Sequence, residues 1–205
     1  MRLGNVTLAA SLFAGVALLC SAVAAATTIT FSGLSGTNGT PVASYSESGY
    51  TLVTLIGGQF FEGLIFGNPA PSLIAGPVFG GPQDNTLNIF DGGSFNFVSF
   101  DLAANNGDTA YGITGVLAGN QQYSFNATEP GHTGVFTTIF NPFSGIAVDQ
   151  VFLNLFVLGS SANIDNIVAN AAAAVPEPTS ILLLGGALAG MAMRGRRKNA
   201  RSAAC

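Results

Sequence analysis

The central part of this sequence contains no basic residue. Lys and Arg are absent between residues 27 and 175, whereas the same segment contains nine Asp and Glu residues. Five of the six basic residues of the chain lie in its last twelve positions, and the sixth is Arg2. A segment with a formal charge of −9 and no cation cannot neutralise phosphates. This excludes nucleic acids and nucleotides as partners of the central segment.

Few residues are suited to covalent or metal chemistry. The chain has no tryptophan, a single histidine, His132, and two cysteines, Cys20 and Cys205, which lie near its two ends. With one imidazole and neither thiol nor lysine, the central segment offers few ways to build a catalytic triad, a zinc site or a Schiff base. The sequence around His132 is typical of an exposed turn. Scattered carboxylates permit a glycosidase pair in any fold, but their spacing does not indicate one. We expect a protein that is not an enzyme.

The N-terminal residues have the pattern of an export signal. Arg2 precedes an apolar run, and small residues follow it up to Ala26. This order predicts a secretory signal peptide over residues 1–26 that signal peptidase removes. An uncleaved anchor is disfavoured because the apolar run is shorter than the roughly 20 residues of a spanning helix. Acylation at Cys20 is disfavoured because the bulky Leu19 precedes it.

The C-terminal residues combine a proline-rich motif, an apolar stretch and a basic tail. Residues 171–180 form a linker that contains Val175, Pro176, Glu177, Pro178 and Thr179. Residues 181–193 are apolar and predict a short transmembrane helix. Residues 194–205 carry the basic cluster of Arg194, Arg196, Arg197 and Lys198, which should stay on the cytoplasmic side and leave the preceding chain exported. A proline linker before an ordinary C-terminal tail anchor is the disfavoured alternative.

This C-terminal arrangement resembles the PEP-CTERM sorting signal of exported bacterial proteins. The resemblance covers about 30 residues and includes the Pro176-Glu177-Pro178 motif, the apolar stretch and the basic tail in the family's order. It implies recognition by a membrane-embedded exosortase, cleavage near the motif, and release or attachment at the cell surface. Such proteins usually occur in organisms that make extracellular polysaccharide.

Residues 27–170 predict an all-β domain. Ten short segments rich in Phe, Val, Ile, Tyr and Thr recur between clusters of Gly, Asn, Pro and Ser, with visible alternation of apolar and polar residues. This pattern favours an antiparallel β-sandwich of the jelly-roll type, flanked by the signal helix and the transmembrane helix. Residues 151–157 are almost continuously apolar and predict a strand buried on both faces. Residues 68–82 predict the longest loop.

Calcium is the one cofactor that the side chains of the central segment could bind, because oxygen ligands suffice for it and an extracellular module can bind it weakly. The segment around Asp165 resembles the closing strand of carbohydrate-binding jelly rolls, which implies a structural calcium at Asp165. An Asp satisfied by backbone amides at a strand end is the alternative. Sugar binding normally uses Trp or Tyr, and only Tyr45, Tyr50, Tyr111 and Tyr123 are present.

The sequence therefore predicts a non-enzymatic protein of the cell surface or extracellular matrix, associated with exopolysaccharide or biofilm. Signal peptidase and exosortase are its expected processing enzymes, and the C-terminal helix anchors the precursor in the membrane. The alternative is a calcium-assisted carbohydrate-binding module.

Overall fold

The computed structural model describes residues 25–55, 59–76, 83–157 and 161–172. These residues form thirteen β-strands in two antiparallel sheets and contain no helix, which confirms the predicted all-β sandwich. The strands extend from Ala26 to Ala171. Residues 1–24 of the predicted signal peptide, the sorting motif, the transmembrane helix and the basic tail lie outside the described residues, and Ala26, the last residue of the predicted signal peptide, begins the first strand.

The first sheet, sheet A, has seven strands and the second, sheet B, has six. The strands of sheet A are β1 (Ala26–Ile29), β2 (Pro41–Val42), β5 (Phe60–Gly63), β6 (Ser72–Ala75), β8 (Phe95–Asn105), β11 (Thr137–Phe140) and β13 (Ser161–Ala171). The strands of sheet B are β3 (Ser44–Glu47), β4 (Tyr50–Thr54), β7 (Gln83–Phe90), β9 (Thr109–Leu117), β10 (Asn120–Glu129) and β12 (Gln150–Val157).

Each sheet has a long strand near its centre. In sheet A the order is β11-β8-β13-β6-β5-β2, and β1 pairs with the C-terminal half of β13. In sheet B the order is β10-β9-β12-β7-β4-β3, so that β9 lies between β10 and β12. Strands β10 and β3 therefore form the two edges of sheet B.

The core lies between the two sheets. Large side chains such as Phe60, Phe97 and Phe100 are fully buried there, as the high phenylalanine content leads one to expect. The prediction that residues 151–157 are buried on both faces is wrong. Their side chains alternate, since Val151 and Leu153 are completely buried while Phe152 and Phe156 are half-buried on the outer face.

The predicted loop over residues 68–82 is shorter than expected. Its interior contains β6, which pairs with β5 on one side and β13 on the other. The prolines around this segment indicated a loop because proline is depleted in strands, but they flank the strand and do not enter it. Among the described residues, no helix has the length and apolar character needed to cross a membrane.

Candidate functional site

A shallow groove of about 390 Å³ follows strand β9 on the outer face of sheet B. Its floor is formed by Ala110 and Gly112, which have almost no side chain. In the strand register, Gly112 lies between Asn126 of β10 and Asn154 of β12, and Ala110 lies between Thr128 and Phe156. Small residues in the middle strand and larger ones on both neighbours therefore create a groove, which we call the trough.

The space above Gly112 is occupied by a neighbouring side chain. A Cβ atom at Gly112 would lie 2.6 Å from Oδ1 of Asn126, closer than real Cβ contacts allow. The Asn126 amide therefore extends over the floor of the trough. Within the described part of the chain, no hydrogen bond is made by this amide, which is exposed. It is available to a ligand.

The other wall of the trough combines an amide and an aromatic ring. Nδ2 of Asn154 donates a hydrogen bond to the Thr86 hydroxyl at 3.0 Å, which holds the amide in place. Phe156 is half-buried beside it and lines the trough. None of the residues that line the trough is charged. The trough thus offers amide and hydroxyl groups and one aromatic ring to a neutral ligand.

Of the four tyrosines that the sequence offered for sugar binding, only Tyr111 is among the residues that line the trough, and it is 8% exposed. Tyr50, Tyr111 and Tyr123 belong to the core, with exposed fractions of 4%, 8% and 4%. The Tyr45 ring packs against Phe31, and its hydroxyl donates a hydrogen bond to a carboxylate. Burial raises the pKa of Tyr45 to about 12. Around the trough, alternation along the strands directs Tyr111 inward and Phe156 outward.

Two aspartates face each other on sheet A. Asp165 of β13 and Asp101 of β8 are register partners, and we call them the carboxylate pair. Ile164, Phe100 and Leu102 beside them point into the core, so both aspartates lie on the opposite, outer face. Asp165 is nevertheless completely buried and Asp101 is 6% exposed. Like charges directly opposite each other destabilise a sheet unless something compensates them.

The segment of residues 64–71 covers the carboxylate pair through Asn68. The Asn68 backbone N–H donates to Oδ2 of Asp165 at 2.5 Å, and its side-chain amide donates to Oδ2 of Asp101 at 3.1 Å. Asn166 donates its backbone N–H to Asp165 at 2.7 Å and its side-chain amide to Asp101 at 2.9 Å. The Thr138 hydroxyl donates to the other oxygen of Asp101 at 2.7 Å.

These contacts do not fully stabilise the charge on Asp165. Burial raises the pKa of Asp165 to about 6; the backbone hydrogen bonds from Asn68 and Asn166 oppose this effect, and the charge on Asp101 adds to it. The sequence indicated Asp165 with the adjacent Asn166, but not Asp101 or Asn68. Only the pairing of β13 with β8 brings these residues together.

The carboxylate pair supplies oxygen atoms of the kind that bind calcium. No group of three His, Cys, Asp or Glu side chains suited to a metal occurs among the described residues. A cation here would therefore need neutral oxygens in addition to the two carboxylates. The side-chain amides of Asn68 and Asn166 carry such oxygens, and the Asn68 carbonyl also lies here, where it accepts a hydrogen bond from the Asn166 side chain. Carboxylate, amide and carbonyl oxygens are the ligands that calcium prefers.

A third carboxylate, Glu47 on edge strand β3, holds the segment after β1. One of its oxygens accepts the backbone N–H groups of Thr30 at 3.0 Å and Phe31 at 2.8 Å, and the Tyr45 hydroxyl at 3.0 Å. The other accepts the hydroxyls of Thr30 at 2.9 Å and Ser32 at 3.2 Å. Burial opposes ionisation, but these hydrogen bonds outweigh it and lower the pKa of Glu47.

The single histidine lies apart from these sites. His132 is exposed, and its backbone N–H donates to the Ala104 carbonyl at 2.8 Å. Among the described residues, its ring makes a hydrogen bond only with the Pro130 carbonyl, at 3.3 Å from Nδ1. This position agrees with the exposed turn that the sequence indicated.

The sandwich is similar to solved structures of carbohydrate-binding modules. The C-terminal family 22 module of Clostridium thermocellum Xyn10B is 14% identical, with 73% of this chain and 96% of that chain covered and a TM-score of 0.44. The family 32 module of C. perfringens NanJ, solved in complex with galactose, is 15% identical, with 62% and 98% covered and a TM-score of 0.45. A family 29 module from Piromyces equi is 11% identical, with 72% and 93% covered and a TM-score of 0.43. The strand pairing described above, and not these similarities, defines the fold.

The C-terminal residues match a known sorting signal. None of the curated proteins compared with the chain is detectably similar to it in sequence. Residues 174–198, however, match the PEP-CTERM protein-sorting motif. This range contains the Pro176-Glu177-Pro178 motif and the basic residues up to Lys198, and the match confirms the resemblance stated for the sequence. The chain therefore carries the sorting signal of an exported protein that an exosortase processes.

Proposed function

We propose that this exported protein is a non-enzymatic component of the cell surface or extracellular matrix that binds uncharged polysaccharide in the trough. The observation that carries the proposal is the trough itself, with an unpaired amide from Asn126, a held amide from Asn154 and the ring of Phe156. Amides bind sugar hydroxyls, and an aromatic ring packs against the apolar face of a sugar. The link to exopolysaccharide or biofilm follows from the sorting signal.

The charge distribution supports a neutral ligand. The lining contains no acid and no base, and the domain around it is acidic without any Lys or Arg. Acidic polysaccharides would therefore be repelled without a compensating contact. A glycosidase needs two carboxyl groups facing its cleft, and the residues lining the trough provide none. The trough is thus suited to binding and not to hydrolysis.

Binding is tested with the exported, processed protein and exopolysaccharide isolated from the producing cells. We expect Asn126→Ala and Phe156→Ala each to weaken binding roughly tenfold, because each removes a contact at the centre of the site. Phe90→Ala is the control, since Phe90 is also half-buried on sheet B but does not line the trough. A uronate-rich polysaccharide should not bind. Equal effects of all three substitutions, or preference for the acidic polymer, would contradict the proposal.

Processing is tested separately by mass spectrometry of the exported protein. The sorting motif at Val175, Pro176, Glu177, Pro178 and Thr179 predicts a C-terminus near these residues. We expect Glu177→Ala to accumulate the membrane-anchored precursor because the exosortase no longer recognises it. An exported protein that is intact through Cys205 would exclude processing by an exosortase.

A second candidate function, calcium-assisted carbohydrate binding, is favoured by the carboxylate pair. Two facing carboxylates with no Lys or Arg anywhere between residues 27 and 175 need a proton or a cation to compensate them. Calcium bound to Asp165 and Asp101 would supply two positive charges and fasten residues 64–71 to sheet A.

This candidate predicts that calcium raises the melting temperature more at pH 7 than at pH 5, because protons compete for Asp165 at the lower pH. Asp165→Asn should abolish the calcium effect. Asp84→Asn, at an exposed aspartate of β7, should leave it unchanged. If the two variants respond to calcium alike, the carboxylate pair is not the site.

A further inference from the structure

Strand β12 presents two aromatic rings on the outer face of sheet B. Its outward residues include Phe152, Asn154 and Phe156, because side chains alternate along a strand. The solvent-facing side of an antiparallel sheet normally carries polar residues. Two outward phenylalanines in one strand therefore indicate a contact surface. Phe156 lines the trough, whereas the function of Phe152 is not explained by the trough alone.

The neighbours of Phe152 across the sheet are polar. In the strand register, Phe152 lies between Thr114 of β9 and Asn88 of β7. Ser124 of β10 pairs with Thr114 on the other side, and the two hydroxyls lie 3.2 Å apart. Within the described part of the chain, the half-buried Phe152 ring makes no contact with another aromatic ring. Its exposed part is thus available to a ligand.

The row of Phe152 continues the trough along β9. The trough contains the rows of Ala110 and Gly112, and the row of Thr114 is the next one on the same face. Over these three rows, β12 supplies a ring, an amide and a second ring, and β10 supplies a hydroxyl, an amide and a second hydroxyl. We call the three rows the extended trough; they are Ser124, Thr114 and Phe152, then Asn126, Gly112 and Asn154, then Thr128, Ala110 and Phe156.

The spacing of the two rings sets the length of the ligand. Phe152 and Phe156 are four residues apart in one strand, so their Cα atoms are separated by about 13 Å. A single sugar ring is too short to contact both. The amide of Asn154 lies between the two rings on the same strand. A chain of sugars along β9 can pack against both rings and bind this amide through its hydroxyls.

The extended trough is narrow at its middle row. The Asn126 amide extends over Gly112 from one side, and the Asn154 amide is held by the Thr86 hydroxyl on the other. A branch on a sugar in this row would meet one of the two amides. The shape therefore favours an unbranched chain.

We propose that Phe152 is a second sugar-binding position and that the extended trough takes a linear, neutral polysaccharide whose chain runs along β9. This inference rests on the proposed binding of polysaccharide in the trough. It adds a minimum length, a direction and an unbranched structure to the ligand. None of the nine residues of the extended trough is charged, so the added row keeps the preference for a neutral chain.

The proposal is tested with the exported, processed protein and with fragments of the producing cells' exopolysaccharide that are separated by length. Titration calorimetry measures the dissociation constants of a disaccharide and a hexasaccharide fragment. We expect the wild type to bind the hexasaccharide at least tenfold more tightly, because only the longer fragment reaches both rings. Phe152→Ala should remove this difference and leave binding of the disaccharide in the trough unchanged.

Three further variants separate the ring of Phe152 from its bulk and position. Phe152→Tyr keeps the ring and should keep the tighter binding of the hexasaccharide. Phe152→Leu keeps an apolar side chain without the ring and should behave like Phe152→Ala. Phe90→Ala is the matched control, because Phe90 is also half-buried on the outer face of sheet B but lies on β7, which β12 separates from β9. It should leave the binding of both fragments unchanged.

Each outcome decides the proposal. Equal affinity of the wild type for both fragments overturns it without the need for a variant, and so does tighter hexasaccharide binding that persists in Phe152→Ala. Equal losses in Phe90→Ala and Phe152→Ala overturn the path along β9. Failure of the trough itself gives a different result, since Asn126→Ala and Phe156→Ala would then leave the binding of both fragments unchanged. Circular dichroism establishes that each variant is folded.

Discussion

The fold shifts the pKa values of two carboxylates, Glu47 and Asp165, in opposite directions. Glu47 accepts five hydrogen bonds, and its pKa is lowered. Asp165 accepts backbone hydrogen bonds from Asn68 and Asn166, faces Asp101, and has a pKa raised to about 6. Burial raises the pKa of half-buried Glu47 and of completely buried Asp165, so burial alone does not decide the direction of the net shift.

The difference lies in what surrounds each carboxylate. A domain without Lys or Arg between residues 27 and 175 cannot form lysine or arginine ion pairs in this segment, and N–H and O–H donors must stabilise its negative charges. Glu47 receives enough donors to overcome desolvation. Asp165 receives fewer, is completely buried, and lies beside a second negative charge. The number of hydrogen-bond donors and the presence of a neighbouring charge therefore determine whether the pKa of each carboxylate is lowered or raised.

The largest expected effect is that of Glu47→Ala. This change leaves the backbone N–H groups of Thr30 and Phe31 without their acceptor. It should lower the free energy of unfolding by roughly 2–4 kcal/mol, measured by urea denaturation at pH 7. The control is Glu129→Ala, at a half-buried glutamate whose carboxylate accepts no hydrogen bond from the described residues. A similar loss of stability in both variants would show that the hydrogen bonds accepted by Glu47 do not contribute specifically to stability.

The pH dependence of stability should reveal the two carboxylates in separate ranges. Asp165 has a raised pKa, so its folded form binds protons more readily and stability falls as the pH rises from about 4 to about 6. Glu47 has a lowered pKa, so its contribution is present above its usual value of 4.5 and is lost as the pH falls below it. Without calcium, the two contributions should together give the highest melting temperature near pH 4, and a maximum at neutral pH would contradict this assignment.

The smallest effect is expected from Asp101→Asn, which removes the charge that faces Asp165. The Asn side chain can still accept the Thr138 hydroxyl, and the Asn68 and Asn166 amides can present oxygen in place of nitrogen. We expect the calcium-free protein to gain about 1 kcal/mol at pH 7, with a weaker pH dependence between pH 5 and pH 7. Thermal unfolding at both pH values measures this, and a loss of stability would show that repulsion from Asp101 is not significant.

The fold class could be predicted from the sequence because strand alternation is a local property. Local sequence does not determine how many faces of a strand are buried, because an apolar residue can lie on either face. In β12, Val151 and Leu153 point inward, whereas the equally apolar Phe152 points outward. Strand β6 was missed because its neighbouring prolines indicate a loop. Its pairing with β13, almost 90 positions away in the chain, decides its structure.

The candidate sites depend still more on long-range register. The sequence indicates Asp165 as a candidate calcium ligand, but its partner Asp101 is identified only by the pairing of β13 with β8. The trough requires that β9 lie between β10 and β12, so that Gly112 and Ala110 form its floor. No local pattern in the sequence indicates this order. The tyrosines, which composition alone suggested for binding, are used in the core.

The position of β13 also determines how the domain responds to mechanical tension. The chain leaves β13 toward the sorting segment, so a pull on that segment enters the domain along this strand. Nine register pairs join β13 to β8, and four more join it to β1 near the point of entry. A force along the strand loads these pairs together in shear and does not open them one after another. The chain thus leaves the domain from one of its best-supported strands.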